Sequence, residues 1–243
     1  MSVLETELLN CGYGELQVIF DLSASIERGM ITAVLGPNGS GKSTFLKALS
    51  GLATIYSGCV RYEGQDVTSM PAHQRAKLGI AYLPQTNNVF SNLTVSENLQ
   101  IAGYVLDKRE VEDRIDAVLD LFPELEGYMH KKAGTLSGGE RQFLAIGSAL
   151  IRKSKILMLD EPTAHLSPKL SAIVLERISE LRNKLNLTIV LVEQNVKDTL
   201  LISDYAYILV SGRVAYYGDA GTLRDTPSLD LIIKKFLFGR EGA

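Results

Sequence analysis

The chain has 243 residues, with 25 basic and 28 acidic side chains and a formal net charge of −3. That length can bury the core of one α/β domain with a subdomain, and the charge balance gives no electrostatic case for a nucleic-acid partner. No uninterrupted apolar run reaches the ~18 residues of a membrane span, the start Met1-Ser2-Val3-Leu4-Glu5 lacks the features of a secretion signal, and Cys11 and Cys59 read as reduced thiols of a cytoplasmic protein.

Residues 3–9 and 16–22 read as short strands joined by the turn-rich Asn10-Cys11-Gly12-Tyr13-Gly14. Met30-Ile31-Thr32-Ala33-Val34-Leu35 is apolar and β-branched enough for a buried strand. Next comes Gly36-Pro37-Asn38-Gly39-Ser40-Gly41-Lys42-Ser43-Thr44, a phosphate-binding-loop pattern, with Phe45, Leu46, Ala48 and Leu49 at helical spacing behind it. Between strand and helix, glycines can turn successive N–H groups inward, and the helix start adds its dipole, which makes an anion site. Lys42 is expected on the β- and γ-phosphates and the Ser43 hydroxyl on Mg²⁺.

Residues 58–64 alternate between bounding glycines and read as a strand, so 2–35 and 54–66 suggest an antiparallel sheet layered beside a parallel one. Residues 80–83 form a further strand ending at Pro84-Gln85. From 94 to 150 the pattern is helical: Val95, Leu99 and Ile101 mark one helix, and Val111, Ile115, Val118, Leu119 and Phe122 another that Pro123 ends. Buried-strand runs follow at 155–161 and 188–192, with a helix at 168–184, a hairpin turning at Ser211-Gly212, and a terminal helix at 228–238. The alternation predicts an α/β fold with a mostly parallel core sheet, an N-terminal antiparallel β subdomain and an inserted α-helical subdomain. The whole of 1–243 is one domain, with the core in about 1–85 and 152–243 and the helical part in about 86–151.

Two further motifs carry chemistry. Asp160-Glu161 ends an apolar strand; alone, the pair fits two acids capping the next helix, but beside a phosphate loop Asp160 suits Mg²⁺ and Glu161 a general base for water. In Leu136-Ser137-Gly138-Gly139-Glu140-Arg141-Gln142, Ser137 and Glu140 form a capping box, and the glycines clear the helix start as a second anion site.

Residues 36–44, Gln85, 136–142 and 157–161, in this order and rough spacing, resemble the ATP-binding cassette (ABC) ATPases, P-loop NTPases, over nearly the whole chain. The resemblance implies ATP and Mg²⁺ as cofactors and head-to-tail dimers, homo- or heteromeric, in which Ser137 and Gly139 act on the partner's ATP. It implies that Tyr13 stacks on adenine, although a tyrosine in a strand-connecting turn is the plainer alternative. It also implies that Gln85 touches Mg²⁺ and water. Two positions depart from the family pattern. Ala164-His165-Leu166-Ser167-Pro168 lacks the usual aspartate, and Gln194 stands at the switch histidine's place, able to hydrogen-bond the γ-phosphate and water but not to carry a proton. His73, His130 and His165 show no metal spacing.

Leu191-Val192-Glu193-Gln194-Asn195, Pro168, the stretch 89–99 and Phe236-Leu237-Phe238-Gly239 are similar to the second ATPase subunit of branched-chain amino-acid importers. Urea and short-chain amide importers share these features, and a lipopolysaccharide-transport ATPase is a more distant relative. Such a subunit attaches to the cytoplasmic membrane face through permease subunits and works indirectly with a solute-binding protein. The apolar pair Val89-Phe90 is expected to meet a permease helix, or else Phe90 folds under its own loop. A soluble cassette, such as an iron–sulfur assembly ATPase, is the competing class, which the Gln194 motif does not favour.

Overall fold

A computed structural model describes residues 1–226. The expected helix at 228–238 and the 236–239 motif lie outside the described residues.

The N-terminal antiparallel sheet is built from β1 (Ser2–Tyr13), β2 (Leu16–Glu27), β4 (Thr54–Tyr62) and β5 (Gln65–Asp66), in the order β2-β1-β4-β5. The second sheet runs β10-β9-β3-β8-β7-β6, from β3 (Ile31–Leu35), β6 (Ile80–Leu83), β7 (Ile156–Asp160), β8 (Thr188–Val192), β9 (Tyr205–Val210) and β10 (Arg213–Asp219). All of its pairs are parallel except the β9–β10 hairpin. Every residue of β3, β7 and β8 is buried, as a parallel strand covered on both faces requires. Register sets Val34 beside Val192, Val192 beside Asp160, and Leu159 beside Leu83. The carboxyl ends of β3, β8, β7 and β6 therefore lie side by side. The loops that leave them must gather at one edge, where ligands bind in open α/β sheets.

The helical region contains α3 (Val95–Ala102), α4 (Lys108–Leu121) and α5 (Gly138–Leu150). Their apolar faces share one core cluster with Leu157, Leu159, Ile189 and Leu191 of the sheet, and Phe122 stacks on Phe143 at 5.3 Å. The long α6 (Pro168–Leu185) covers the same face.

Several boundaries differ from the sequence expectation. Asn10, Cys11, Gly12 and Tyr13 are strand, and the turn comes at Gly14-Glu15. Gly12 is there for close approach: a Cβ would sit 2.0 Å from the Leu16 carbonyl oxygen. Gly58 does not start β4 but lies inside it at φ 81, opposite a register shift after Glu7. Ile101 is 41% exposed, because two positions beyond Leu99 a helix has turned to its other side. The buried member of that turn is Asn98, whose amide group accepts from the Phe90 N–H at 2.7 Å and donates to the Thr94 carbonyl at 2.8 Å. Pro123 opens a 3₁₀ turn, Pro123–Tyr128, rather than only ending α4.

The helix α1 (Lys42–Leu49), which starts at the phosphate loop, is anchored at its far end by Arg75 of α2 (Ala72–Lys77). Arg75 is 1% exposed. Its guanidinium donates to the carbonyls of Ala48 and Leu49, both at 2.8 Å, and to those of Met70 and Thr68, both at 2.9 Å. Burial lowers its pKa, and Asp66 is the opposing charge. The side chain thus adds partners to the last carbonyls of α1, of which that of Ala48 also accepts the Gly51 N–H at 3.2 Å, and a cation there suits the helix dipole.

Candidate functional site

The loop between β3 and α1 is tightly made: a Cβ on Gly36 would fall 2.2 Å from the Leu209 carbonyl oxygen. Lys42 is 4% exposed, and its ammonium donates to the carbonyls of Gly36 at 2.8 Å and Pro37 at 3.0 Å. It stands 4.0 Å from Glu161 Oε1. Burial lowers the Lys42 pKa, while Glu161, Asp160 and Glu193 oppose that shift.

Asp160, at the end of β7, is 5% exposed and accepts two hydrogen bonds. The Ser43 hydroxyl donates to Oδ1 at 2.8 Å, and the Tyr82 hydroxyl donates to Oδ2 at 2.9 Å. Burial, reinforced by Asp160, pushes the Tyr82 pKa up, so it stays a donor. Tyr82 was not singled out by its pattern. The available signal was a tyrosine among aliphatic residues in a buried strand, since such a hydroxyl needs a partner.

Glu161 has φ 50. For a residue other than glycine this left-handed conformation costs about 1–3 kcal/mol and persists only where surroundings hold it. Its N–H donates to the Val192 carbonyl at 3.0 Å. Its Oε2 accepts from the Gln85 side-chain amide at 3.0 Å and from the Gln194 side-chain amide at 2.7 Å. The candidate residues from three loops therefore meet at one carboxylate. Glu193, which the motif reading quoted without a role of its own, is 3% exposed and accepts from the Thr163 N–H at 2.9 Å and its hydroxyl at 2.7 Å. Burial raises its pKa. A carboxylate placed directly after the apolar run of β8 was the signal for it.

Tyr13 lies in β1 beside α1, with the Thr44 hydroxyl donating to its phenol oxygen at 3.3 Å and the ring 42% exposed. Ser137 and Glu140 form the capping box at the start of α5: Glu140 accepts from the Ser137 N–H at 2.8 Å, and Ser137 Oγ from the Glu140 N–H at 3.4 Å. The Tyr128 hydroxyl, more than the Ser137 amide, holds the Glu140 carboxyl below its ordinary pKa. Gly138 and Gly139 pack against Leu166 and Leu170 instead of carrying side chains. Among the described residues, no hydrogen bond links this turn to the phosphate loop of the same chain. His73, His130 and His165 are all exposed.

Among the described residues there is no group of three or more His, Cys, Asp and Glu arranged for a metal. A divalent ion bound together with nucleotide needs only one or two protein oxygens, the phosphates and water supplying the rest. The Ser43 hydroxyl and an Asp160 oxygen, 2.8 Å apart, are a fitting oxygen pair for Mg²⁺.

A family model described as ABC transporter matches residues 19–164. The chain belongs to the ABC transporter family. It is an ATP-binding cassette with ATP hydrolysis as its activity. The chain is 63% identical over 221 residues to the probable branched-chain amino acid transport ATP-binding protein LivF of Archaeoglobus fulgidus, covering 91% of this chain and 94% of that protein. It is 39% identical to the high-affinity branched-chain amino acid transport ATP-binding protein BraG of Pseudomonas aeruginosa, covering 93% of this chain and 97% of the other. Among solved structures, an ATP-binding cassette of an ABC transporter in its ADP conformation is similar with a TM-score of 0.85 and 27% identity, over 96% of this chain and 98% of that one. No helix among the described residues of this cassette is long and apolar enough to cross a membrane.

Proposed function

We propose that this cassette drives an importer of branched-chain amino acids, as a peripheral subunit on the cytoplasmic membrane face. The 63% identity with the Archaeoglobus protein is the observation that carries this reading. The test is ATP hydrolysis by the assembled transporter with its solute-binding protein. Leucine-loaded binding protein is expected to stimulate turnover, whereas stimulation by urea or a short amide alone would redirect the assignment.

The proposed roles follow from the site. Entering phosphates replace the Gly36 and Pro37 carbonyls as partners of Lys42, and the loop N–H groups of residues 36–44 cradle them. Ser43 and Asp160 would hold Mg²⁺, with Gln85 contributing from its loop. When bound, that ion neutralises charge on the transferring phosphoryl group. Glu161 acts as general base. Two amide donors occupy Oε2, so Oε1 is the oxygen open to a water proton. Gln194 also serves as a donor toward the γ-phosphate. Ser137, Gly138, Gly139 and Glu140 complete the site of a second cassette in a head-to-tail dimer. The permease subunits are the remaining partners, with a solute-binding protein acting through them. Residues 86–151 form the helical subdomain that carries this second half-site.

Tyr13 is assigned to adenine, which its part-exposed ring beside Thr44, with the Lys47 ammonium 5.5 Å from its centroid, supports. Tyr13→Ala is expected to weaken ATP and GTP affinity alike, because stacking reads a ring face and is worth roughly 1–3 kcal/mol per base. Nucleotide titration of the purified variant checks this, and unchanged dissociation constants would return Tyr13 to a packing role.

Val89 packs against the helical core, whereas Phe90 is 58% exposed and does not fold under its own loop. An exposed aromatic whose backbone N–H and carbonyl are held by Asn98 suits a helix docked from the permease. Phe90→Glu is expected to leave melting temperature and ATP binding intact while reducing co-purification with the permease. Full retention of co-purification would remove Phe90 from the interface.

A further inference from the structure

The segments on either side of the reacting carboxylate are tied together by one buried acid. Glu193 Oε1 accepts both donors of Thr163, two residues beyond Glu161. Its Oε2 accepts the Gln194 N–H at 3.3 Å. Gln194 in turn donates to Glu161 Oε2 at 2.7 Å, and the Glu161 N–H bonds the Val192 carbonyl at 3.0 Å. These contacts close a circuit: backbone of Glu161 to β8, Thr163 to Glu193, Gln194 back to Glu161. At the centre of the circuit Glu161 holds a left-handed conformation that only its surroundings can maintain. A buried carboxylate is also a costly choice unless its hydrogen bonds are needed, and Glu193 is 3% exposed.

We infer that Glu193 is a positioning residue for ATP hydrolysis, its carboxyl group locking the loop after Glu161 to the Gln194 backbone so that the base meets its two amide donors in one geometry. The inference rests on the proposed roles of Glu161 and Gln194. Glu193 touches neither nucleotide nor water in it. It acts on turnover through the placement of Glu161, and misplacement on the order of 1 Å can cost ~10²-fold in rate.

The test compares Glu193→Ala, Glu193→Gln, Thr163→Val and the Ala/Val double variant in the full chain, with Glu161→Gln as reference. For each, kcat, KM for ATP and melting temperature are measured. Glu193→Ala is expected to lower kcat by about 10- to 100-fold with KM nearly unchanged, the pattern of a loss felt only in the transition state. Glu193→Gln keeps an oxygen for both Thr163 donors but sets its nitrogen against the Gln194 N–H, so it is expected to recover part of that loss. Thr163→Val lowers kcat less, and the double variant falls no further than Glu193→Ala, since both remove the same link. If Glu193→Ala does not fold, Thr163→Val and Glu193→Gln carry the comparison alone. A kcat for Thr163→Val and Glu193→Ala within about twofold of the parent overturns the inference, as does a Gln variant as slow as Glu161→Gln. Near-normal turnover by Glu161→Gln itself would instead overturn the reading of the site on which the inference stands.

Discussion

Glu161→Gln is expected to bind ATP with parental affinity and to lose turnover by ~10²–10⁴-fold, the usual range for removing a general base. The amide has nearly the same shape but cannot take a proton from water. The substitution also disturbs the local bonding in a foreseeable way. Both Gln85 and Gln194 donate to Oε2 of Glu161, so an amide must present its oxygen there and leave its nitrogen at the Oε1 position. That nitrogen would face Lys42, 4.0 Å from Oε1, exchanging an attraction for a contact between donors. Binding should survive because the proposed site gives the phosphates to the loop and Lys42, not to Glu161. With hydrolysis blocked, ATP is expected to keep a head-to-tail dimer closed, which size-exclusion chromatography in the presence of ATP reads directly. Hydrolysis at near-parental rate would remove Glu161 from the mechanism.

Arg75→Leu is expected to be the most destabilising single change away from the phosphate site. It removes a guanidinium that satisfies carbonyls of Ala48, Leu49, Met70 and Thr68 at once. The Ala48 carbonyl keeps the Gly51 N–H, and each buried acceptor left unpaired costs about 1–3 kcal/mol. Water entering the gap would offset part of that sum, so a loss of about 3–5 kcal/mol is expected, in the range reserved for broken buried networks. For a domain of this size the melting temperature should fall by roughly 10 °C. Lysine at the same position can reach only some of the carbonyls and should fall between the two. A melting temperature within about 2 °C of the parent would show that the carbonyls find other partners.

The sequence was most legible where one physical demand fills a continuous stretch. The buried parallel strands β3, β7 and β8 had to be apolar throughout, and the turn between β3 and α1 showed as a fixed spacing of glycines before a helix. Short helices were not legible. The helices α2, α7 (Val196–Ile202) and α8 (Ala220–Arg224) span six, seven and five residues, too few turns for a periodic apolar face. The first hairpin was read too short because the polar and glycine residues Asn10 and Gly12 suggest a turn. Yet Cys11 between them is fully buried, with burial pushing its thiol up to about 12, and the strand runs on to Tyr13. Tyr82 and Glu193 were given no role of their own for a different reason. Their partners, Asp160 and Thr163, are distant in sequence and become neighbours only when β6, β7 and β8 align.

In the proposed function, ATP turned over at Glu161 powers uptake of branched-chain amino acids. The direct measurement is accumulation of radiolabelled leucine in proteoliposomes holding the complete transporter, with ATP on the cassette side and leucine-loaded binding protein on the other. The parent cassette should accumulate leucine in proportion to ATP hydrolysed, and the Glu161→Gln transporter should bind ATP yet accumulate none. Leucine accumulation by the Glu161→Gln transporter at the parental rate would contradict the claim, as would hydrolysis by the parent with no leucine moved.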